Sequence, residues 1–467
     1  MIKTHKIRAE VTIQIFRTGK KIDITNSVKT IKTKKGIEAR SGTFQVTLLP
    51  TRDERGLSWY HNLSPMDYVE IRATRDPVPG QVPILMRGFI DSINYVVNVD
   101  DEGKPARAYS FVGRDYGKLL DIGYIYFLKE VEKDFQMSAL PSYQKIMEKW
   151  NVDVYADLPN KIIKDLLDVS LLQLEHIQKF YTNAVNLDYV GSQSIPGRMH
   201  SFTLTQDDGS VWDFMSFYSN SPWNELYVLD LPEKPALVFR KTPWKDYPGN
   251  NLIQGDDETY ALTLGDTVKF YPSDITALDL TRTDAETKNY FFTYPIQNLV
   301  GNDVSFKAFV LENIKAITDL KANPYWIDAD DKDAGLNRFG FRRFENNTEY
   351  ISVLDKELAA SAPLMEQLNL ALVDAFRYNS AYEAGSFTLK GSEKWQIGRY
   401  LQLDASPASE VKPEYYVVDV SHNLCFETGI EDFSTTLEVT RGTGFLLTRD
   451  LANNAESENL RLISGRY

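Results

Sequence analysis

Met86-Arg-Gly-Phe-Ile-Asp-Ser-Ile-Asn-Tyr95, followed after a loop by Ala108-Tyr-Ser-Phe-Val-Gly-Arg-Asp115, is the stretch on which the fold turns. Apolar and polar residues alternate along both segments, the period of a strand that sets one face on a core and leaves the other wet. The polar turn Asp100-Asp-Glu-Gly-Lys104 folds a longer pair, Ile84 to Val99 and Arg107 to Val112, back on itself. The same alternation marks Val11 to Phe16, Phe44 to Leu48 and Val69 to Ala73 upstream. Ile7 to Arg114 therefore predicts a small antiparallel β domain, a barrel or a sandwich.

The pattern returns near the other end of the chain. Asp67-Tyr-Val-Glu-Ile-Arg-Ala73 precedes the Met86 segment, as Ile397-Gly-Arg-Tyr-Leu-Gln-Leu403 precedes Tyr415-Tyr-Val-Val-Asp-Val-Ser-His-Asn423. The Ala108 segment then corresponds to Thr435-Thr-Leu-Glu-Val-Thr-Arg-Gly442. Order, spacing and alternation match, which predicts a duplicated β-barrel.

Between the two strand-rich ends the period changes. Tyr143 to Trp150 reads as helical. So does the stretch after Asp157, where Ile162, Ile163, Leu166, Leu167, Leu171, Leu174, Ile177 and Phe180 fall at helical spacing and Pro159 suits the first turn. Ser210-Val-Trp-Asp213 has the form of a capping box before Phe214, Met215 and Tyr218. Strands follow at Leu226 to Leu229 and Leu237 to Arg240, and a helix at Leu364 to Phe376 leads into the second strand-rich part. The resulting division is a first β domain over 1–123, a helical insertion over 124–199, a mixed α+β region over 200–350, a second β domain with its leading helix over 351–445, and a polar tail over 446–467.

Composition bounds the function. The chain of 467 residues is 43% hydrophobic and 25% charged, an ordinary globular balance for roughly three domains. A formal net charge of −13 opposes phosphate binding as a main role, since nucleic-acid affinity comes from clustered Lys and Arg. The short basic clusters Lys3, His5, Lys6, Arg8 and Lys29, Lys32, Lys34, Lys35 read as solvated strand edges that resist aggregation. A lone cysteine, Cys425, in an apolar strand-like stretch reads as a buried structural thiol. Met1-Ile-Lys-Thr-His5 lacks the apolar core of a signal peptide, and no stretch reaches about 20 consecutive apolar residues, so the expectation is folding in a cytoplasm without membrane insertion.

At Gly88-Phe-Ile-Asp91, and at Val112-Gly-Arg-Asp-Tyr-Gly-Lys-Leu-Leu120, the chain resembles the baseplate hub family of phage tails, which includes the late control protein D group and the hub half of the type VI secretion spike. The resemblance continues at Val211-Trp-Asp-Phe214, Pro222-Trp-Asn-Glu-Leu-Tyr227, Leu237-Val-Phe-Arg-Lys-Thr-Pro243, Leu280-Thr-Arg-Thr-Asp284 with Asn289, and Arg338-Phe-Gly-Phe-Arg342. It covers about residues 40 to 440 apart from the insertion. The resemblance implies a β-rich α+β fold with two tube-like antiparallel β-barrel domains flanking a mixed α/β middle. It also implies a homotrimer whose six barrels form a pseudo-sixfold ring. The implied partners are a tail tube protein, a central spike protein and other baseplate proteins, with DNA passing through the channel unbound. The implied location is the virion tail, assembled in a host bacterial cytoplasm.

The residues that carry the resemblance are Gly88, Asp91, Gly113, Arg114, Asp115, Asn224, Glu225, Arg240, Pro243, Arg282 and Asn289. Their expected roles are architectural. Gly88 permits a bulge or a close backbone approach, Asp115 caps a helix packed by Leu119 and Leu120, and Asn224 and Glu225 open a strand after Pro222. Arg240 and Arg282 are candidates for ion pairs, within or between subunits.

No catalytic, cofactor or metal site is expected. His5, His61, His176, His200 and His422 include no helical zinc pair, and His422 with Cys425 supplies two of four ligands. The acidic stretch from Asp328 to Gly335 has Asp333 where a calcium loop needs Gly and Phe339 where it needs Glu. Two rival readings are a peptidoglycan hydrolase using Glu130 with Asp153 or Asp157, and a carbohydrate- or receptor-binding tail protein using Trp59, Trp223, Trp244 and Trp326 as platforms.

Overall fold

The computed structural model describes residues 7–52, 56–75, 82–99, 105–126, 156–173, 187–191, 199–200, 208–244, 267–295, 327, 331, 334–348, 358–404, 413–427 and 430–442. The expectations on Lys3, His5, Lys6, Glu130, Tyr143–Trp150, Asp153, His176, Trp326, most of the Asp328 stretch and the C-terminal tail lie outside those residues.

The first strand-rich part consists of β1 (Arg8–Gln14), β2 (Lys21–Asp23), β3 (Val28–Gly36), β4 (Thr43–Leu48), β5 (Tyr68–Thr74), β6 (Ile84–Val99) and β7 (Pro105–Arg114). They lie side by side in the order β2-β1-β5-β6-β7-β4-β3, antiparallel throughout. Alternation does what it predicts: Val11, Ile13, Val46, Ile71 and Phe111 turn inward and are fully buried together.

The middle is built on a hairpin of β13 (Asn224–Asp230) and β14 (Pro235–Lys241), with β10 (Asp188–Gly191) parallel to β14. Smaller pairs join β8 (Tyr124–Tyr126) to β12 (Asp208–Ser210) and β9 (Ala156–Asp157) to β11 (Met199–His200). The stretch 124–199 thus contributes strands to the middle region as well as the helix Pro159–Gln173, whose Ile162, Ile163, Leu166 and Leu167 are buried. The helix Val211–Ser219 starts with the expected capping box: Asp213 N–H donates to Ser210 Oγ at 3.1 Å and Ser210 N–H to Asp213 Oδ2 at 3.2 Å. Among the described residues no helix is long and apolar enough to cross a membrane.

The second strand-rich part holds β15 (Val268–Phe270), β16 (Ile275–Thr281), β19 (Glu383–Lys390), β20 (Tyr400–Leu403), β21 (Glu414–Glu427) and β22 (Ile430–Gly442). Between β16 and β19 the chain leaves to form the parallel pair β17 (Tyr290–Pro295) and β18 (Arg343–Thr348) and the helix Leu358–Phe376.

The ladders show how far the duplication reaches. Strands β3-β4-β7-β6-β5 and β16-β19-β22-β21-β20 are neighbours in the same order, antiparallel and in the same chain sequence. A 3-10 turn precedes the first strand of each, Thr25–Ser27 and Pro272–Asp274. Each first strand then skips its second residue, Lys29 between Val28 and Thr30 and Thr276 between Ile275 and Ala277. Each long strand skips one residue as well, Asp91 in β6 and Val418 in β21. These bulges fix the correspondence residue by residue: Ile31 with Leu278, Lys35 with Arg282, Tyr95 with His422, Val97 with Leu424.

The two parts are also joined in a way that local pattern does not announce. The free edge of β3 takes β21, from Gly36 opposite Asp419 to Thr30 opposite Cys425, so all 13 strands form one sheet. Strand β3 is therefore internal. The reading of Lys29, Lys32, Lys34 and Lys35 as a solvated edge is corrected: Lys34 pairs with Asp419 across this seam at 3.2 Å, and Lys35, its side chain 11% exposed, sits in an ion-pair cluster. Cys425 is half-buried rather than buried, because it faces away from the core side that Leu424 fills.

Candidate functional site

The hairpin β13–β14 touches both β units, and at each contact charged groups are taken out of water. At the first, Lys35 Nζ lies 2.9 Å from Asp115 Oδ2 and 2.7 Å from Asp230 Oδ2. Arg87 of β6 reaches across to donate to the carbonyls of Leu231 and Pro232, both at 2.7 Å. Arg87 also lies 3.9 Å from Glu70 and 4.0 Å from Asp230, so Lys35 and Arg87 face three carboxylates. Burial opposes the charge on Lys35, but Asp115 and Asp230 outweigh it and hold the ammonium above its ordinary range. Asp115 also accepts the Gly117 N–H at 2.9 Å, just before the helix Gly117–Ile122, whose N-cap is Tyr116 rather than Asp115.

At the second contact Arg240 Nε donates to Glu225 Oε2 at 3.1 Å, directly across the hairpin. Its Nη2 donates to the Gly398 carbonyl at 2.7 Å and to Tyr416 Oη at 3.0 Å, both in the second unit. Tyr416 in turn donates to Glu225 Oε1 at 2.6 Å. Burial and the carboxylate push the Tyr416 phenol well above its usual value, so it stays a donor. Gly398 has φ +73°, and a Cβ there would meet Tyr227 Oη at 2.4 Å, which is why this close approach needs glycine. Pro243 contributes its carbonyl, which accepts from the buried Tyr400 hydroxyl at 2.8 Å.

The remaining signature residues fix local geometry. A Cβ on Gly88 would lie 2.1 Å from the Arg114 carbonyl oxygen, and one on Gly113 2.3 Å from Phe44 Cζ, so both positions allow strands to close up. Asp91, at the bulge, pairs with Arg114 at 3.0 Å and Lys118 at 2.9 Å, and Arg114 pairs with Asp121 at 2.7 Å. Asn224 Nδ2 donates to the Ser219 carbonyl at 2.8 Å and so ties down the end of the helix Val211–Ser219. Asn289 sits apart, bridging Gly340 and Arg342 beside β17 and β18 at 2.7 and 2.8 Å. Arg282 is exposed just beyond β16.

The structure thus gathers Asp115, Glu225, Arg240 and Pro243 at the two joints of one hairpin and leaves Arg282 and Asn289 elsewhere. Arg87, Asp230 and Tyr416 complete those joints without having been singled out from sequence, together with Lys35, which the sequence reading placed on a solvated edge. A cleft of about 620 Å³ beside the second joint is lined by Trp212, Trp244, Tyr416 and Arg441. Four acids line it, Glu38, Glu225, Asp419 and Glu438; Glu225 is held by Arg240 and Tyr416, and Asp419 pairs with Lys34. Trp59, Trp223 and Trp244 are buried, with Trp223 Nε1 donating to the Leu368 carbonyl, so none of the three is a surface platform. His422 and Cys425, three apart on a strand, face opposite sides.

No protein-family model and no curated protein matches the chain. Among solved structures it is similar to a tail protein from Neisseria meningitidis, at 11% identity and TM-score 0.45, over 92% of this chain and 96% of that one. It is similar to the 43 kDa tail protein of prophage MuSo2 from Shewanella oneidensis at 10% identity and TM-score 0.46, over 93% and 98%. It is also similar to prophage tail protein gp18 from Listeria monocytogenes at 9% identity and TM-score 0.41, over 96% and 100%. The similarity is to phage tail proteins along nearly the whole chain. At such scores it transfers no role to individual residues.

Proposed function

We propose that this chain is a structural component of a phage or phage-derived tail: a non-enzymatic baseplate hub that forms a trimer and joins a hexameric tail tube to a trimeric central spike. One observation carries the reading. A single chain holds the same five-strand unit twice, locked side by side in one sheet. Three such chains offer six quasi-equivalent units to a sixfold neighbour while keeping threefold symmetry for another. The hairpin β13–β14, ion-paired to the first unit and hydrogen-bonded to the second, supports the same reading, because it ties both units to one element. The sequence resemblance to baseplate hubs at Gly88–Asp91 and Val112–Leu120 agrees with it. In this reading the partners are other copies of the chain, the tube, the spike and neighbouring baseplate proteins. The location is the virion tail, after assembly in the host cytoplasm, and DNA traverses the ring without specific binding.

Negative-stain electron microscopy of the purified chain, alone and with the product of the neighbouring gene, tests this. Rings with threefold symmetry, six lobes and a central hole are expected. Monomer-sized particles in both samples would overturn it.

A further inference from the structure

The duplication specifies more than the shape of each unit, because the seam between the units is itself an interface. Within the chain, the outer edge of β3 in the first unit is covered by β21 of the second, beyond the bulge at Val418. The counterpart of β3 is β16, and the counterpart of β21 is β6. Among the described residues, β16 ends the sheet and pairs with β19 alone, while β6 beyond its bulge at Asp91 pairs with β7 alone. One chain therefore carries one formed seam and the two halves of a second.

We propose that copies of this chain join head to tail through that second seam, the outer edge of β16 in one copy lying antiparallel to β6 of the next. The internal seam gives the register. Thr30 opposite Cys425, Ile31 opposite Leu424 and Gly36 opposite Asp419 become Ala277 opposite Asn98, Leu278 opposite Val97 and Thr283 opposite Ser92 of the next copy.

Burial argues for it independently of the ladder. In the formed seam Ile31 and Leu424 are both 0% exposed and His422 is 7% exposed. Their counterparts Leu278, Val97 and Tyr95 are 49%, 51% and 42% exposed. They sit on the same strand face at the same places, and what they lack is the opposing strand. Neither edge is protected in the usual way either. Ser92 to Asn98 carries no charge and no proline, and Ile275 to Thr281 carries one aspartate and no lysine or proline. Edges so bare pair with another strand, and the two patches differ from each other, so the contact is heterologous and propagates until it closes. The inference rests on the hub reading only for closure at three copies.

The test is disulfide trapping in the full chain carrying Cys425→Ser, with Val97→Cys and Leu278→Cys together. Directly opposed residues of an antiparallel pair lie within disulfide reach. Mild oxidation should give a covalent ladder ending at the trimer, while either new cysteine alone should give none. Asp279→Cys with Val97→Cys, which sets the two thiols on opposite faces, should not cross-link. A second variant pair checks the contact without chemistry: Leu278→Glu should weaken self-association about tenfold or more, and Val97→Lys should restore it. Rings in the microscope without the matched cross-link would overturn the seam and leave the hub reading standing. Equal cross-linking by the Asp279 control would overturn the register. A monomer by light scattering with no cross-link would remove both.

Discussion

Strands β3 and β16 begin alike, each after a 3-10 turn, each with a bulge at its second residue and each antiparallel to the next strand of its own unit. They differ on the other edge. The β3 edge is covered by β21, and the residues there, Ile31 and Leu424, vanish from solvent; Leu278 and Val97, at the matching places, stay half-exposed. The comparison teaches that exposure here is decided by what a strand edge meets rather than by the side chain. The matching apolar positions are core where the seam is formed and surface where the edges are unpaired. Mutations at matched positions should therefore have very different costs in the isolated chain, and that asymmetry is measurable.

The largest difference is expected between Lys35 and its counterpart Arg282. Lys35→Met removes the cation that faces Asp115 and Asp230, leaving two buried carboxylates with Arg87 as their neighbouring positive group. Breaking a buried charge cluster from one side costs about 3–5 kcal/mol. Arg282→Met, on an exposed side chain, should stay within about 0.5 kcal/mol. Urea unfolding at a concentration where the chain is monomeric reads both. Equal losses would mean that burial in the ion-pair cluster does not set the cost at these matched positions.

Next comes the apolar pair. Leu424→Ala should cost about 3 kcal/mol, the usual range for deleting a fully buried leucine. Val97→Ala should cost under about 0.5 kcal/mol in the monomer and regain its cost on assembly. Thermal unfolding against concentration separates the two: the Val97 variant should match the parent when dilute and fall below it when concentrated.

How much of this was legible beforehand depends on the range of the interaction. Met86 to Tyr95 and Tyr415 to Asn423 were readable as strands because a half-buried strand writes its period into its own residues. The capping box at Ser210 and Asp213 was readable for the same local reason. Glu225 and Arg240 stood in the motifs that resemble baseplate hubs, but that they face each other follows from the hairpin register, and that Tyr416 joins them follows from packing between parts of the chain far apart in sequence. Lys35 misled most. A run of lysines such as Lys29, Lys32, Lys34 and Lys35 is what a wet edge looks like, and nothing local reveals that the edge is covered by a strand from the far end of the chain. The stretch 124–199 misled for a related reason: β10 is four residues long and earns its place only by lying beside β14.

The third contrast is between His422 and Tyr95. His422 is buried in the formed seam with Nδ1 2.9 Å from Thr435 Oγ1, and burial depresses its pKa to about 4. A histidine depressed in the folded state contributes stability that is complete above its unfolded value of about 6.5 and is lost as the pH falls toward 4. By pH 5 the loss should be about 2 kcal/mol. His422→Gln should flatten stability across that window, leaving only the slope from carboxylates lower down. Titrating unfolding midpoints from pH 7 to pH 4 decides it; an unchanged slope in the variant would assign the acid sensitivity elsewhere.

The smallest expected effect is the one that says most about the bulges. Asp91 occupies the skipped position of β6 and binds Arg114 and Lys118, which suggests that its carboxylate makes the bulge. The second unit argues otherwise, because Val418 occupies the same skipped position of β21 with no charge at all. If the bulge belongs to the backbone pattern, Asp91→Val should keep it and lose only the ion pairs. Asp91 is about one-third exposed, so the cost should be about 1 kcal/mol and should shrink in high salt, as half-solvated pairs do. Amide exchange at Ser92 and Ile93 gives the structural readout: protection retained in Asp91→Val places the cause in the ladder. Protection lost would make the aspartate the device that turns the edge of β6 outward, and would mean that the two units reached the same bulge by different routes.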